Sequence, residues 1–438
     1  MNRQFAHRPR PGLGISLVLV LLLLAPVGCD DLSAKIDIQI DQLPRLVAQA
    51  GERIGDFDDP SVGFSRVGGV DVDRDGNLFV MEASVPEIRV YSPRGALLRR
   101  FGRRGDGPGE FAGTPRFGVI GDTVWTVGAY PSRIALFNRE GVLLSTGRSE
   151  GVAVPLPESF GYVLPTAMRL DGKFTSRMGR IVSNPDTPPT DVQAADRIPV
   201  PLVLFDASGA VTDTIGWAGR PPPRMWRPPA QDDFRFESVE VGGRRAAVPS
   251  PPTALPWWES LLDGYLVVAT PLAQNAEDGV FTVTRFGLSE DTIFTRALHY
   301  EPTPYSAAVL DSIAARAARG EAGGMVPIAI MVGGGRRGPP ENWEAIARSL
   351  RGAMQFPDYR LPIESVWVAQ DEGIWLRRWD GVAATASWII LDSEGNPRGD
   401  LELPHDVRPM WSRGDVFWAV DPDEFDVPWL VRFTVQPE

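Results

Sequence analysis

Asp71-Val72-Asp73-Arg74-Asp75-Gly76, followed by five residues and Glu82, reproduces the spacing of an EF-hand calcium loop, with Leu78 at its hydrophobic eighth position. The flanking pattern argues against an ion held by both ends. Asn77 to Glu82 reads as a strand, so Glu82 is expected roughly 15 to 20 Å from the aspartates at about 3.3 Å per residue. The aspartates are read as a hairpin turn, with calcium binding as the competing chemistry.

Beyond His7 the chain has two histidines, His299 and His405, with no HExxH and no paired CxxC, which argues against zinc chemistry. His299 reads as a structural or surface residue. His405-Asp406 has the composition of a general base with its orienting carboxylate, and equally of a turn. No GxSxG elbow identifies a nucleophile. Gly333 to Gly338, with Arg336 and Arg337, suggests a phosphate cradle but lacks the lysine and hydroxyl of a P-loop. It reads as a flexible link.

What must position these residues is a repeat. Leu78 to Leu98 lies over Val124 to Leu144 at a fixed offset of 46 residues without a gap, pairing Ile88 with Ile134, Tyr91 with Phe137 and Gly95 with Gly141. A period in the forties built from short strands predicts propeller blades. The D-x-x-G-N turn at Asp73, the aromatic-x-x-x-Gly turn at Tyr91 and the connector Gly102 to Phe111 resemble NHL-repeat six-bladed propellers. Fainter copies at Phe205 to Gly209 and Leu391 to Gly395, with Asp171-Gly172, Asp263-Gly264, Glu372-Gly373 and Gly414-Asp415, complete six candidate blades.

The fold class expected is all-β, a six-bladed β-propeller with a small helical insertion between blades four and five. The last blade, Val407 to Val435, lacks a fourth strand; Lys35 to Ile40 or Leu46 to Ala50 is expected to supply it and close the ring. Insertions at about 184–199, 220–252 and 302–362 fall in second-to-third loops or blade connections, which share one face. Helices are expected at Tyr305 to Arg319 and Asn342 to Met354; the apolar stripe Trp343, Ile346, Ala347, Leu350 and Met354 is expected to pack on the disc, with a lid as the alternative.

Residues 1–28 read as an export signal, with Arg3, Arg8 and Arg10 before the apolar run Leu13 to Ala25. Cys29, the only cysteine, sits where a lipoprotein signal is cleaved and acylated, although Pro26 departs from that pattern. Residues 29–65 are then spacer and closing strand, and 66–438 the propeller. The expected location is periplasmic or cell-surface, with a lipid anchor as the sole membrane contact. The net charge of −12 argues against nucleic acid as a partner.

The expectation for function is a binding or scaffold module whose insertion-covered face takes a small molecule, a glycan or a protein partner, with no resident cofactor. Its ligand-binding candidates are Glu82, Tyr130, Arg133, Arg377 and Asp421, all near ends of second strands or starts of third ones. Arg177, Arg378, Asp423 and Glu424 are expected on the same rim. The alternative is a calcium-dependent propeller hydrolase or lyase of the lactonase kind, with Glu82 and Asp421 on the metal and His405 and Asp406 catalytic. The resemblance implies binding first, because the fold hosts both.

Overall fold

The computed structural model describes residues 36–438 apart from 57–58, 60–61, 129–131, 157–158, 184–199, 219–235, 242–243, 250–256, 262–263, 272, 274, 278, 288–290, 320–342, 354–357 and 379–384. The signal, Cys29, Tyr130, the third-blade insertion and the Gly333 to Gly338 run lie outside the described residues.

Two N-terminal strands, β1 (Ile36–Gln39) and β2 (Arg45–Ile54), precede six antiparallel units in chain order. The first contains β3 (Val67–Val72), β4 (Leu78–Glu82), β5 (Glu87–Tyr91) and β6 (Leu97–Phe101). Its twin contains β7 (Arg116–Ile120), β8 (Thr123–Val127), β9 (Ser132–Asn138) and β10 (Leu143–Ser149). The third adds an extra strand, β11 (Val152–Leu156), to β12 (Ser159–Met168), β13 (Phe174–Ser183), β14 (Val200–Phe205) and β15 (Val211–Ala218). A separate hairpin, β16 (Phe236–Val241) and β17 (Arg244–Pro249), follows.

The fourth unit is β18 (Trp257–Ser260), β19 (Gly264–Ala269), β20 (Val280–Gly287) and β21 (Thr292–His299). Helices α1 (Ala307–Arg319) and α2 (Trp343–Ala353) separate it from β22 (Ile363–Val368), β23 (Ile374–Arg378), β24 (Thr385–Leu391) and β25 (Pro397–Pro404). The sixth unit, β26 (Arg408–Arg413), β27 (Val416–Pro422) and β28 (Pro428–Pro437), ends one strand short. β2 fills the place, antiparallel to β28 with Leu46 opposite Pro437 and Ile54 opposite Leu430. The other N-terminal strand takes a different post: β1 runs parallel to β21 as a fifth strand of unit four. Between them, Arg45 and Leu46 pair parallel with Asp400 and Leu401 of β25, so one N-terminal strap spans three units.

The sequence of β4, Leu78-Phe79-Val80-Met81-Glu82, is buried at every position, which a sheet with one solvated face cannot do. Leu78 and Val80 pack with Trp411, Trp418 and Leu430 of unit six. Phe79 and Met81 pack with Val119, Val124 and Phe137 of unit two. Unit one is therefore sandwiched between units six and two, and each such side chain contributes about 1.5–3 kcal/mol by leaving water. The same arrangement recurs between units two and three around Trp125 and Phe174, four and five around Phe281 and Ile389, and five and six around Trp375 and Phe417. Among the described residues such apolar layers join units one to two, two to three, four to five and five to six, and one joins the last unit to the first, which brings the two ends of the series together as in a ring. The fold is a β-propeller.

The turns explain why the copies keep their short polar signatures. Ser92, Asn138, Asp206 and Asp392 each accept a hydrogen bond from the backbone N–H four residues on, at 2.8–3.1 Å. The intervening glycines, Gly95, Gly141, Gly209 and Gly395, have φ of 76–89°, a conformation that costs other residues a Cβ clash.

In the inter-unit excursion before β22, Ser306 Oγ accepts the Val309 N–H at 3.3 Å and caps α1. The two helices pair with each other; of the stripe on α2, Trp343 meets α1, while Met354 lies outside the described residues. Arg351 reaches Asp311 at 3.2 Å, and the Arg319 guanidinium lies 4.9 Å from the Trp343 ring centre. The ends of the excursion are tied together by Tyr305 N–H to Asp358 O at 3.2 Å and Arg360 N–H to Thr303 O at 2.9 Å. No helix among the described residues is long and apolar enough to cross a membrane.

Candidate functional site

The EF-hand spacing resolves into two separate structures. Opposed pairs Val72–Leu78 and Val67–Glu82 mark opposite ends of the β3–β4 hairpin. At the turn, Asp73 Oδ1 accepts the N–H groups of Asp75 and Asn77 at 2.9 Å, and Oδ2 accepts Asn77 Nδ2 and Arg139 Nη1 at 3.0 and 3.1 Å. Burial opposes the charge on Asp73, but these hydrogen bonds outweigh it and hold the carboxyl below its usual pKa. Arg139, from the second unit, also reaches Asp75, and Asp122 at 3.0 Å. A guanidinium thus stands among the carboxylates where a loop of this spacing would seat a cation.

At the other end, Glu82 is 1% exposed. Its oxygens accept the backbone N–H groups of Ser65 at 2.9 Å, Arg66 at 3.2 Å and Ser84 at 2.8 Å. Glu82 therefore holds the chain entering the first unit against the end of β4. Arg133, at the start of β9, is tied to Asp106 of the preceding connector through its carbonyl at 2.8 Å and carboxylate at 3.0 Å.

Three sequence candidates, Arg377, His405 and Asp406, fall together where units five and six meet. Arg377 ends β23, and His405 and Asp406 occupy the turn into β26. Arg377 Nη2 lies 3.1 Å from His405 Nδ1. Its Nε is 3.3 Å from Glu364 Oε2, within ion-pair reach but not aligned as a hydrogen bond. The Arg377 guanidinium also sits 5.9 Å from the ring centre of Trp388. Because an arginine only donates, the nearer nitrogen, Nδ1, is assigned as the acceptor and the ring proton to Nε2, which itself lies 3.5 Å from the same Nη2. The arrangement gathers the guanidinium of Arg377 and the half-buried ring of His405, while the exposed Asp406 extends past the turn.

Asp421, at the end of β27, is partly buried, which raises its pKa, and Arg53 of the strap opposes the rise. Arg53 stacks 4.1 Å from the ring centre of Trp429, whose Nε1 donates to Asp423 Oδ2 at 3.1 Å. Asp423 also caps its own turn, accepting from Phe425 and Val427 N–H groups at 2.9 and 3.0 Å. Among the described residues, no group of three or more His, Cys, Asp or Glu side chains is placed to share a metal ion.

Sequence reasoning missed Glu364, Trp388 and the electrostatic couple between Arg116 and Glu259. It searched the ends of second strands, whereas Glu364, Arg116 and Glu259 lie on the first strands β22, β7 and β18. Glu364 could have been found by the same strand count, since it sits at the start of an innermost strand on the face where Arg377 ends its neighbour.

No protein-family model and no curated protein sequence matches the chain. Solved structures with a similar course include a Bacteroides fragilis protein named for its expected export, with 12% identity, a TM-score of 0.44, and coverage of 92% of this chain and 99% of that one. The PQQ-bound aldose sugar dehydrogenase of Streptomyces coelicolor shows 12% identity, a TM-score of 0.38 and coverage of 89% and 98%. Virginiamycin B lyase of Staphylococcus aureus shows 11% identity, a TM-score of 0.34 and coverage of 89% and 99%. The assignment of this chain to the β-propeller fold rests on its own strand order and inter-unit layers.

Proposed function

We propose that the protein is an exported, lipid-tethered propeller of the NHL-like kind that binds a ligand at the junction of units five and six. One observation carries this reading: His405 gives its Nδ1 lone pair to Arg377 at 3.1 Å. A histidine engaged in that way presents an N–H rather than a base, and beside a guanidinium it suits ligands rich in acceptors, such as carboxylates or acidic glycans. The calcium-hydrolase alternative draws less support, because Glu82 spends its oxygens on three backbone N–H groups.

The test is titration of the mature protein with acidic oligosaccharides, carboxylate-bearing peptides and dicarboxylates, followed by tryptophan fluorescence and melting temperature. A saturable response that Arg377→Gln weakens about tenfold, as expected for loss of a charge-assisted contact, supports the reading. An unchanged response in Arg377→Gln, or no response to any of the three classes, overturns it. A parallel arm adds calcium or chelator: a stoichiometric ion whose removal lowers the melting temperature would favour the hydrolase instead.

A further inference from the structure

The outer edge of the first unit carries a charge that its sequence twin lacks. From Arg94 to Arg104 the chain holds five arginines and no acidic residue, in a protein of net charge −12. At the offset of 46 residues the second unit has Glu140, Ser145, Thr146, Ser149 and Glu150 at those five places. Both stretches fold into the same four-stranded sheet, so the blade itself does not require the arginines.

β6 is the last strand of its sheet and is hydrogen-bonded to β5 alone among the described strands. Leu98 and Arg100 are exposed on it, Arg94 in the turn that leads into it, and Arg104 in the connector just beyond it, where Arg104 bridges to Phe111. Part of the charge is met locally, by Glu110 at 2.7 Å from Arg103 and Glu87 at 3.8 Å from Arg100. A charge of either sign keeps sheet edges from pairing with one another, and β10 is flanked by glutamates. The positive sign on β6 is what a complementary partner would read.

The fold also shows that an outer strand accepts company. In unit four the equivalent strand, β21, receives β1 as a parallel fifth strand, and Asp37 of β1 meets His299 of β21 at 3.1 Å. In unit five, β25 receives the start of β2, with Arg45 on Asp400 at 3.1 Å. Main-chain pairing plus one cross-strand charge contact is thus the mode by which this rim is already extended twice.

We propose that the outer edge of β6 docks an extended acidic segment of a partner protein, added as a fifth strand with its carboxylates against Arg94, Arg100 and Arg104. The experiment uses the whole mature protein and a fluorescent peptide of about eight residues, alternating valine and glutamate, sized to an ordinary strand. A second peptide has the same sequence with alternate amides N-methylated, which keeps the charge and removes the ladder donors. The triple variant Arg94→Glu, Arg100→Thr, Arg104→Glu installs the residues of the second unit, and a matched variant places lysine at all three positions. Circular dichroism and melting curves establish that both variants fold.

The expected result is saturable binding of the first peptide, weakened about tenfold or more by the twin-residue variant and kept within about threefold by the lysine variant. The N-methylated peptide is expected to bind about tenfold more weakly. No saturable binding of the first peptide, or equal binding by the twin-residue variant, overturns the proposal. Equal binding of the N-methylated peptide also overturns it, since charge without strand addition would then explain the contact, as for any polyanion.

Discussion

Asp71→Asn should remove a pH dependence that the native protein carries at its ring closure. Asp71 lies on β3, is 7% exposed, and bridges three units: Oδ1 accepts Val72 N–H at 2.7 Å and Trp411 Nε1 of unit six at 3.1 Å, and Oδ2 accepts Val119 N–H of unit two at 2.7 Å. Desolvation pushes its pKa up from 3.8 to about 6, against these hydrogen bonds and the charge of Arg413. A carboxyl raised in the folded state contributes stability that is present in full below the unfolded pKa and is lost as pH rises through the folded one. Between pH values below 3.8 and above about 6, the rise corresponds to about 3 kcal/mol, at about 1.4 kcal/mol per pH unit.

The assay is urea denaturation of the native and Asp71→Asn proteins at intervals from pH 3.5 to 8, with the difference in unfolding free energy plotted against pH, so that contributions from all other carboxyls cancel. Native stability should fall relative to the variant through this window. The variant has its own cost, because an amide N–H₂ must face the Val119 N–H, about 1–3 kcal/mol, but that cost does not vary with pH. A difference curve that is flat, or that rises with pH, would refute the reasoning.

Glu82→Ala leaves three backbone N–H groups without their acceptor and is expected to destabilise the protein by about 3 kcal/mol, read from the midpoint of chemical denaturation; an effect below 0.5 kcal/mol would contradict the capping role. Glu372, with φ of 61°, stands where units one and three use Gly76 and Gly172, and its carboxylate meets Arg285 of unit four at 2.6 Å. Glu372→Gly should be near neutral, since about 1 kcal/mol of backbone relief offsets the lost pair, whereas Glu372→Ala loses the pair and keeps the strain; equal stabilities for the two would count against this. Gly395→Ala sets a Cβ 2.6 Å from the Phe294 ring at φ of 76°, so a loss of about 2 kcal/mol is expected. Removal of residues 36–54 should abolish the single cooperative melt, measured by calorimetry.

The ring was legible because its determinants are local. The turns at Asp73, Tyr91, Asp206 and Asp392 signal themselves through Asx chemistry and glycine within five residues, and strand periodicity then fills the intervals. The closing strand was narrowed to two candidates, and only long-range pairing distinguishes them: Leu46 to Ala50 falls within the strand that completes unit six, while Ile36 to Gln39 extends unit four. Glu372 defeated the turn reading, because a pattern that expects glycine at the left-handed position points to Gly373, one residue late. The α2 stripe was visible, whereas the contact of its Trp343 with Arg319 of α1 depends on how two helices meet, which spacing within one helix does not report. Among the candidates, Arg377 and His405 came from counting strands, and the fold brings them within hydrogen-bond reach of each other. Glu82 was picked out as a binding candidate, whereas its three backbone donors come from chain segments whose course no spacing rule reports.

The strap also sets an order of events. β2 precedes all six units, yet its antiparallel mate is β28, which follows every other described strand. The circle cannot be completed before β28 has been made, and the fastening brings together segments far apart in sequence, a slow kind of closure. Deleting β28 would therefore resemble deleting β2, because either strand fastens the same seam.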